Sequence, residues 1–302
     1  MVTDAGLLFL LALRCHDALG MERLEDLVKE CLETDELTQI GYGSGCISDG
    51  VGYKTGNGRE VFVKVNRTSD ALVMFRGEEA SLRTMADTNT IHCPRPIKVL
   101  ENIPGGGCAI IMEYLDLGSS GDEAALGTGL ARLHMHNWRS LENGEGVANF
   151  GFPVATSCGS IPQDNSWTND WVEFFCRKID SQLDRLGSGS SSKEAKSLWS
   201  QLRPNIHKLF DGLVIRPSLL HVIYDPASFY GHYEYDFGIN QCFPSFGRRF
   251  YEAYHSLIPK EPGCELRLQL YKLFHLLNHW NLFGSGYSSS SIKTLKDILR
   301  KI

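Results

Sequence analysis

The sequence predicts an α+β fold: a small strand-rich lobe followed by a larger helical one. Two patterns carry that expectation. Apolar runs with strand character recur up to Tyr114, and helical spacing takes over after Leu117. The composition agrees, because 42% hydrophobic residues in a 302-residue chain suffice to bury a substantial core.

Taken in order, Ile40–Asp49 is punctuated by glycine and Glu60–Val65 is rich in valine, so the two read as paired strands. Leu72, Phe75, Leu82 and Met85 then follow helical spacing. Ile97–Leu100 and Cys108–Tyr114 are two further strands, with Gly105-Gly106-Gly107 as the turn between them. Helices are expected over Ala124–Met135, Trp167–Leu186, Ser197–Phe210 and Glu265–Phe283. In the last of these Leu266, Leu270, Leu273, Phe274, Leu277 and Trp280 share a face, and Gly284 is placed to end it. The low-complexity tract from Gly187 to Ser192 reads as a loop between two helices. The expected organisation is an N-terminal extension over residues 1–20, an N-lobe over 21–115 and a helical C-lobe over 116–302.

Charge and cysteine usage narrow the function. Thirty Lys plus Arg against thirty-six Asp plus Glu, a formal charge of −6, argue against a nucleic-acid partner. The run Gly6–Leu13 is too short to span a bilayer, so no membrane partner is expected. It imitates a signal-peptide core, but Asp4 precedes it, no Lys or Arg does, and Arg14, His16 and Asp17 interrupt it. A helical or frayed extension is the better reading, with Met21 as a possible second start. Nine scattered cysteines without a Cys-x-x-Cys pair point to reduced thiols and a cytoplasmic location.

Three features carry chemistry. Gly41-Tyr-Gly-Ser-Gly-Cys-Ile-Ser48 is a glycine-rich loop between strands, where Gly43 and Gly45 would let backbone N–H groups approach phosphate; its bland reading is a bare turn. No Gly-Lys-Ser/Thr follows, so it is not a P-loop. Lys64 stands inside an apolar strand, either at an edge with its amine in solvent or beside an anion. Glu78 follows fourteen residues later, near the centre of a helix's apolar face, whereas Glu79 lies toward the rim. Glycine loop, strand lysine and inward glutamate together form the arrangement that orients ATP phosphates in kinases. Other signals are weaker. His275 and His279 lack the glutamate of a zinc peptidase, His134 and His136 point to different sides of a helix, and Asp236-Phe237-Gly238 is a bare triplet.

The chain resembles the fructosamine-3-kinase and ketosamine-3-kinase family. The resemblance is carried by Gly45-Cys-Ile-Ser48, Val61-Phe-Val-Lys-Val-Asn66, Gly77-Glu78, Pro94-Arg-Pro-Ile-Lys-Val99, Pro104-Gly-Gly-Gly107 and Met112-Glu113. It continues through Phe150-Gly-Phe152, Ile161-Pro-Gln163, Trp167, Asp170-Trp171, Tyr224-Asp-Pro-Ala-Ser-Phe-Tyr-Gly-His232 and Leu277-Asn-His-Trp-Asn281. It implies a two-lobed protein-kinase-like fold similar to aminoglycoside and choline kinases. It also implies ATP- and Mg²⁺-dependent phosphorylation of the 3-hydroxyl of ketosamines on glycated proteins, or of ketosamine small molecules, as protein repair. Under the resemblance Lys64 would hold the α- and β-phosphates, Glu78 would orient it, and Glu113-Tyr114-Leu115 would be the hinge facing adenine. Asp225 would bind metal.

One stretch departs from the family. Members carry a catalytic loop, His-Gly-Asp-Leu-Trp-x-Gly-Asn, between the Leu-Leu-His run and Asp-Pro-Ala; here His221 is followed by Val222-Ile223-Tyr224-Asp225. The catalytic-base aspartate and a second metal ligand are therefore absent, which looks like an internal deletion, threatens the strands that support Asp225 and implies weak turnover. Cys46 sits in the phosphate loop, where backbone N–H groups favour thiolate. Either it is an inert turn residue, or it oxidises and links two copies; the chain is expected as a monomer or a redox-linked homodimer.

Overall fold

The structure, a computed structural model, describes residues 23–44, 48–116, 121–220 and 226–302. Gly45, Cys46 and Asp225 lie outside them. The chain divides into two compact units. One takes the described residues up to Arg83 together with those from Pro94 to 116; the other takes Thr84–Cys93 and everything from 121 on.

The first unit is built on a five-stranded antiparallel sheet. A helix α1 over residues 23–32 precedes β1 (Leu37–Ser44), β2 (Asp49–Thr55) and β3 (Glu60–Asn66). Helix α2 (Ala71–Thr88) follows, then β4 (Pro96–Glu101) and β5 (Cys108–Glu113), in the spatial order β1-β2-β3-β5-β4. Alternate residues of the strands face α1: Val51 and Tyr53, Val61 and Val63, Ala109 and Ile111 close over Leu24 and Val28. Each valine, leucine or isoleucine among them stabilises the unit by roughly 1.5–3 kcal/mol through lost apolar exposure. Period two puts Phe62 and Lys64 on the opposite face, in register with Met112 and Ile110. The expected β4–β5 turn is there, with φ near +84° at Gly105, Gly106 and Gly107. A Cβ on Gly107 would sit 2.2 Å from the Asn66 carbonyl oxygen, so both conformation and space demand glycine.

The second unit is mainly helical: α3 (Glu123–Glu142), α4 (Trp171–Arg185), α5 (Ser190–Leu202), α6 (Arg248–His255), α7 (Cys264–Phe283) and α8 (Ser288–Leu299). Three differences from the sequence reading have local causes. Helix α4 starts at Trp171 rather than Trp167, because Thr168 is bridged to Phe150 and Asp170 caps the helix by accepting from the Glu173 N–H. Helix α5 begins at Ser190, inside the tract read as a loop. It stops at Leu202, and the chain tightens into a 3₁₀ helix over Arg203–Phe210, where Pro204 offers no N–H. A two-stranded pair, β6 (Ser218–Leu219) and β7 (Tyr230–Gly231), stands on either side of the segment where the sequence departs from the family pattern. The expected loss of strand support is therefore not seen among the described residues. A buried ion pair, Arg267 to Glu234 at 2.7 Å with 1% of each side chain exposed, ties α7 to the 3₁₀ turn Tyr233–Phe237.

Candidate active site

Strand β3 lies between β2 and β5, so Lys64 is central in the sheet and not an edge lysine. Its ammonium donates to both Glu78 carboxylate oxygens, at 3.1 and 3.0 Å, with the side chains 11% and 7% exposed. The helical spacing that turns Phe75 and Leu82 into the core turns Glu78 the same way. Glu79 instead pairs with Arg83 at 2.9 Å on the surface. The Phe75 ring centroid lies 6.0 Å from the amine. Desolvation offsets most of the attraction within such a pair, so its value is less in stability than in presenting a cation at a fixed point of the sheet face.

Four glycines floor the same sheet face. Gly41 and Gly43 belong to β1, paired with Gly52 and Gly50 of β2, so this part of the expected loop is strand. A Cβ on Gly50 would lie 2.1 Å from Phe62 Cζ, and one on Gly52 would lie 2.6 Å from Tyr114 Cε2. Both rings thus occupy space that side chains on those strands would otherwise fill. Gly43 is less constrained, with Phe62 Cζ at 3.7 Å from its would-be Cβ. Sequence reasoning passed over Gly50 and Gly52; their alternate spacing was the available signal.

At the expected hinge, the Glu113 N–H donates to the Arg95 carbonyl at 2.9 Å and the Tyr114 N–H to the Glu60 carbonyl at 3.4 Å. These two donors are committed to the sheet, and Leu115 lies two residues beyond the end of β5. Tyr114 presents its ring to the glycine floor.

The discounted signals have structural partners. His134 Nε2 lies 3.1 Å from Asp236 Oδ2 and its Nδ1 lies 2.7 Å from the Tyr254 hydroxyl, which joins α3 to α6 and fixes the Asp-Phe-Gly triplet. His279 Nδ1 bonds the His275 carbonyl at 2.8 Å within α7. Among the described residues no three His, Cys, Asp or Glu side chains gather as a metal site. None of their helices is long and apolar enough to cross a membrane. The seven described cysteines are free.

The family model for fructosamine kinase matches residues 21–221 and again 222–301. The chain is 45% identical over 309 residues to the ketosamine-3-kinase of Mus musculus, covering 91% of this chain and 99% of that one. It is 39% identical over 301 residues to the chloroplastic protein-ribulosamine 3-kinase of Oryza sativa subsp. indica, covering 92% and 85%. Among solved structures it is similar to a protein assigned as a fructosamine-3-kinase from Haemophilus somnus 129PT, with TM-score 0.73, 24% identity and coverage of 92% and 97%. An aminoglycoside phosphotransferase follows at TM-score 0.55 and 15% identity, covering 93% and 98%. The fold is therefore the two-lobed, protein-kinase-like α+β class. The mouse match runs over 309 residues yet takes in 91% of a 302-residue chain, so about 34 of its positions have no residue of this chain opposite.

Proposed function

Since the chain belongs to the fructosamine kinase family, and so to the phosphotransferases, we propose that it is an ATP-dependent ketosamine 3-kinase acting on ribulosamine or fructosamine groups of glycated proteins. The observation that carries the nucleotide half is the Lys64–Glu78 pair: a cation held at two contacts on a glycine-floored sheet face. A triphosphate brought to that face meets a positive charge already desolvated and oriented, which is how a kinase lysine favours the α- and β-phosphates. Glu78 keeps the amine from swinging away. Gly43 supplies close backbone approach from β1, Gly45 is given the same part by sequence alone, and Glu113-Tyr114-Leu115 border the base. The acceptor half rests on the names of the mouse and rice relatives, and a cytoplasmic location on the free thiols.

Magnesium, when bound, neutralises charge on the β- and γ-phosphates. The described residues do not make such a site by themselves, and Asp225 is assigned to it by sequence alone, so no step here runs through the metal.

A second reading concerns this particular chain. The family match breaks between 221 and 222, and no carboxylate stands between Leu219 and Asp225 to accept the hydroxyl proton. We infer that the chain binds nucleotide but transfers phosphate poorly, because loss of a positioned base alone removes about 10²–10⁴-fold. The test is to incubate pure protein with ATP and a ribulosamine, follow the phosphorylated product by mass spectrometry, and record nucleotide-induced thermal shifts in parallel. A shift without product supports the second reading. Product at a rate typical of kinases, about 1–100 s⁻¹, rejects it and leaves the first standing. Neither shift nor product rejects both.

A further inference from the structure

Lys178, on α4, is 2% exposed, yet its immediate partners are neutral. Its ammonium donates to Gln163 Oε1 at 3.0 Å and Asn165 Oδ1 at 3.1 Å. It also lies over the rings of Phe229 and Phe174, 4.1 and 4.8 Å from their centroids. Asp164 pairs with Arg177 instead, at 3.7 Å.

An ammonium has only hydrogens to offer, so both amide oxygens must turn toward it and both amide nitrogens away. The nitrogens then have a fixed destination. Gln163 Nε2 donates to the Ala227 carbonyl at 3.2 Å and to Thr156 Oγ1 at 3.3 Å. Asn165 Nδ2 donates to Thr156 Oγ1 at 2.8 Å and to the Val154 carbonyl at 3.1 Å. With two donors satisfied, the Thr156 hydroxyl passes its own proton to the Ser228 carbonyl at 3.3 Å. One cation thereby sets the direction of every hydrogen bond in a buried chain that ends on two consecutive backbone carbonyls. Those carbonyls belong to the second and third residues after Asp225.

We propose that Lys178 is a positioning residue, which orients Gln163 and Asn165 so that they and Thr156 clamp the Ala227–Ser228 backbone from which Asp225 extends. The functional half rests on the role proposed for Asp225; the clamp itself does not. Methionine at 178 would keep the volume but leave both amide oxygens without a donor and free the amides to flip, turning oxygen toward oxygen at Ala227. Arginine would restore donors to both.

Hydrogen–deuterium exchange on the full chain tests the clamp. Lys178→Met should speed exchange over residues 226–231 about tenfold and leave the N-terminal sheet unchanged, and Lys178→Arg should bring the rate back. Thr156→Val, which cuts the link to Ser228 without touching the lysine, carries the same expectation should Lys178→Met fail to fold. Exchange over 226–231 that stays at the wild-type rate in these variants overturns the clamp. The second measurement is the affinity for a non-hydrolysable ATP analogue with and without Mg²⁺. A tightening by Mg²⁺ that is lost in Asp225→Asn and Lys178→Met but kept in Lys178→Arg supports positioning. Loss in Asp225→Asn with retention in Lys178→Met overturns it. A Mg²⁺ effect that survives Asp225→Asn refutes the role given to Asp225 and the positioning half with it, while the exchange data still decide the clamp.

Discussion

Lys64 and Lys178 meet the problem of a desolvated cation in different ways, and their substitutions should behave differently. Lys64 has a carboxylate at 3.0 Å. Removing the amine leaves Glu78 buried, so Lys64→Met should cost about 2–3 kcal/mol in urea unfolding, below the full penalty for a deeply buried pair because some exposure remains. Lys64→Met combined with Glu78→Leu removes both charges and should regain most of that stability. Nucleotide affinity, measured by titration, should stay lost in the double variant; recovery alongside stability would mean that the pair is structural only. Lys178 has amides and rings instead, and burial pushes its pKa down to about 7, against upward pulls from Cys158 and Asp164 and a further push down from Arg177. Its ordinary value is 10.5, so between pH 7 and 10.5 the unfolded chain binds more protons and stability rises with pH. Below pH 7 both states are charged and the full cost of burying the ammonium is present. Relative to Lys178→Met, the wild type should therefore gain about 2 kcal/mol in unfolding free energy between pH 7 and pH 9; a difference that does not change with pH would contradict a buried titrating amine. The comparison cancels the raised thiols of Cys176 and Cys264, which work in the opposite direction above about pH 9 in both proteins; Cys158, which the Lys178 ammonium itself pulls down, stands outside that cancellation. Lys64 was legible in the sequence because a lysine among valines is anomalous. Lys178 was not, because Cys-Arg-Lys-Ile-Asp is ordinary for an amphipathic helix and its burial depends on Gln163, Asn165 and Phe229, all distant in sequence.

Strand β2 and the start of α5 show where element-level reading stops. Asp49–Thr55 carries Gly50 and Gly52, and glycine lowers strand propensity, so the segment did not announce itself. Those glycines are there because Phe62 and Tyr114 need the space, a tertiary demand that no local pattern reports. Ser190–Ser192 reads as a flexible tract by composition, yet Ala195, Trp199 and Leu202 bury one face of α5 and carry the helix back through it. The glycine run at Gly105–Gly107 and the apolar face of α7 were legible because backbone conformation and long periodicity are local signals. Two helix glycines in α3 separate the same two influences. Gly127 lies against α6, and a Cβ there would meet the Phe250 carbonyl oxygen at 2.3 Å; at Gly129 the nearest atom, the Thr90 carbonyl oxygen, is at 3.4 Å. Alanine gains up to about 1 kcal/mol of helix propensity at either site. At Gly127 the obstacle is backbone that cannot rotate aside, so overpacking at about 1–3 kcal/mol wins and Gly127→Ala should lower Tm. Gly129→Ala should leave Tm unchanged or raise it. Equal effects at the two positions would show that α3 and α6 are not in backbone contact.

On the scale of the whole molecule, the break in the family match falls between two strands that remain paired. Ser218 stands opposite Gly231 and Leu219 opposite Tyr230, and the Leu220 N–H donates to the Phe229 carbonyl at 3.0 Å. Leu220 and Phe229, on either side of the break, are thus held side by side by backbone hydrogen bonds among described residues. The buried polar chain on Ala227 and Ser228 adds a second hold on the returning strand. Inserting the mouse relative's segment between 221 and 222, at most about 34 residues if every unmatched position falls there, lengthens the connection from about ten residues to at most about forty-four. That is about two doublings, or about 1.2 kcal/mol of closure entropy. At this chain length such a change corresponds to a Tm difference of about 2–5 °C. The prediction is that the 302-residue chain and a version carrying the mouse segment unfold within about 5 °C of each other and show equal nucleotide-induced shifts. Only the longer one should phosphorylate a ribulosamine. A gap well beyond that range would mean that the absent residues pack into the core as well as supplying the base. If the short chain proves insoluble, the paired strands do not suffice to close the fold, and nucleotide binding by this chain falls with them.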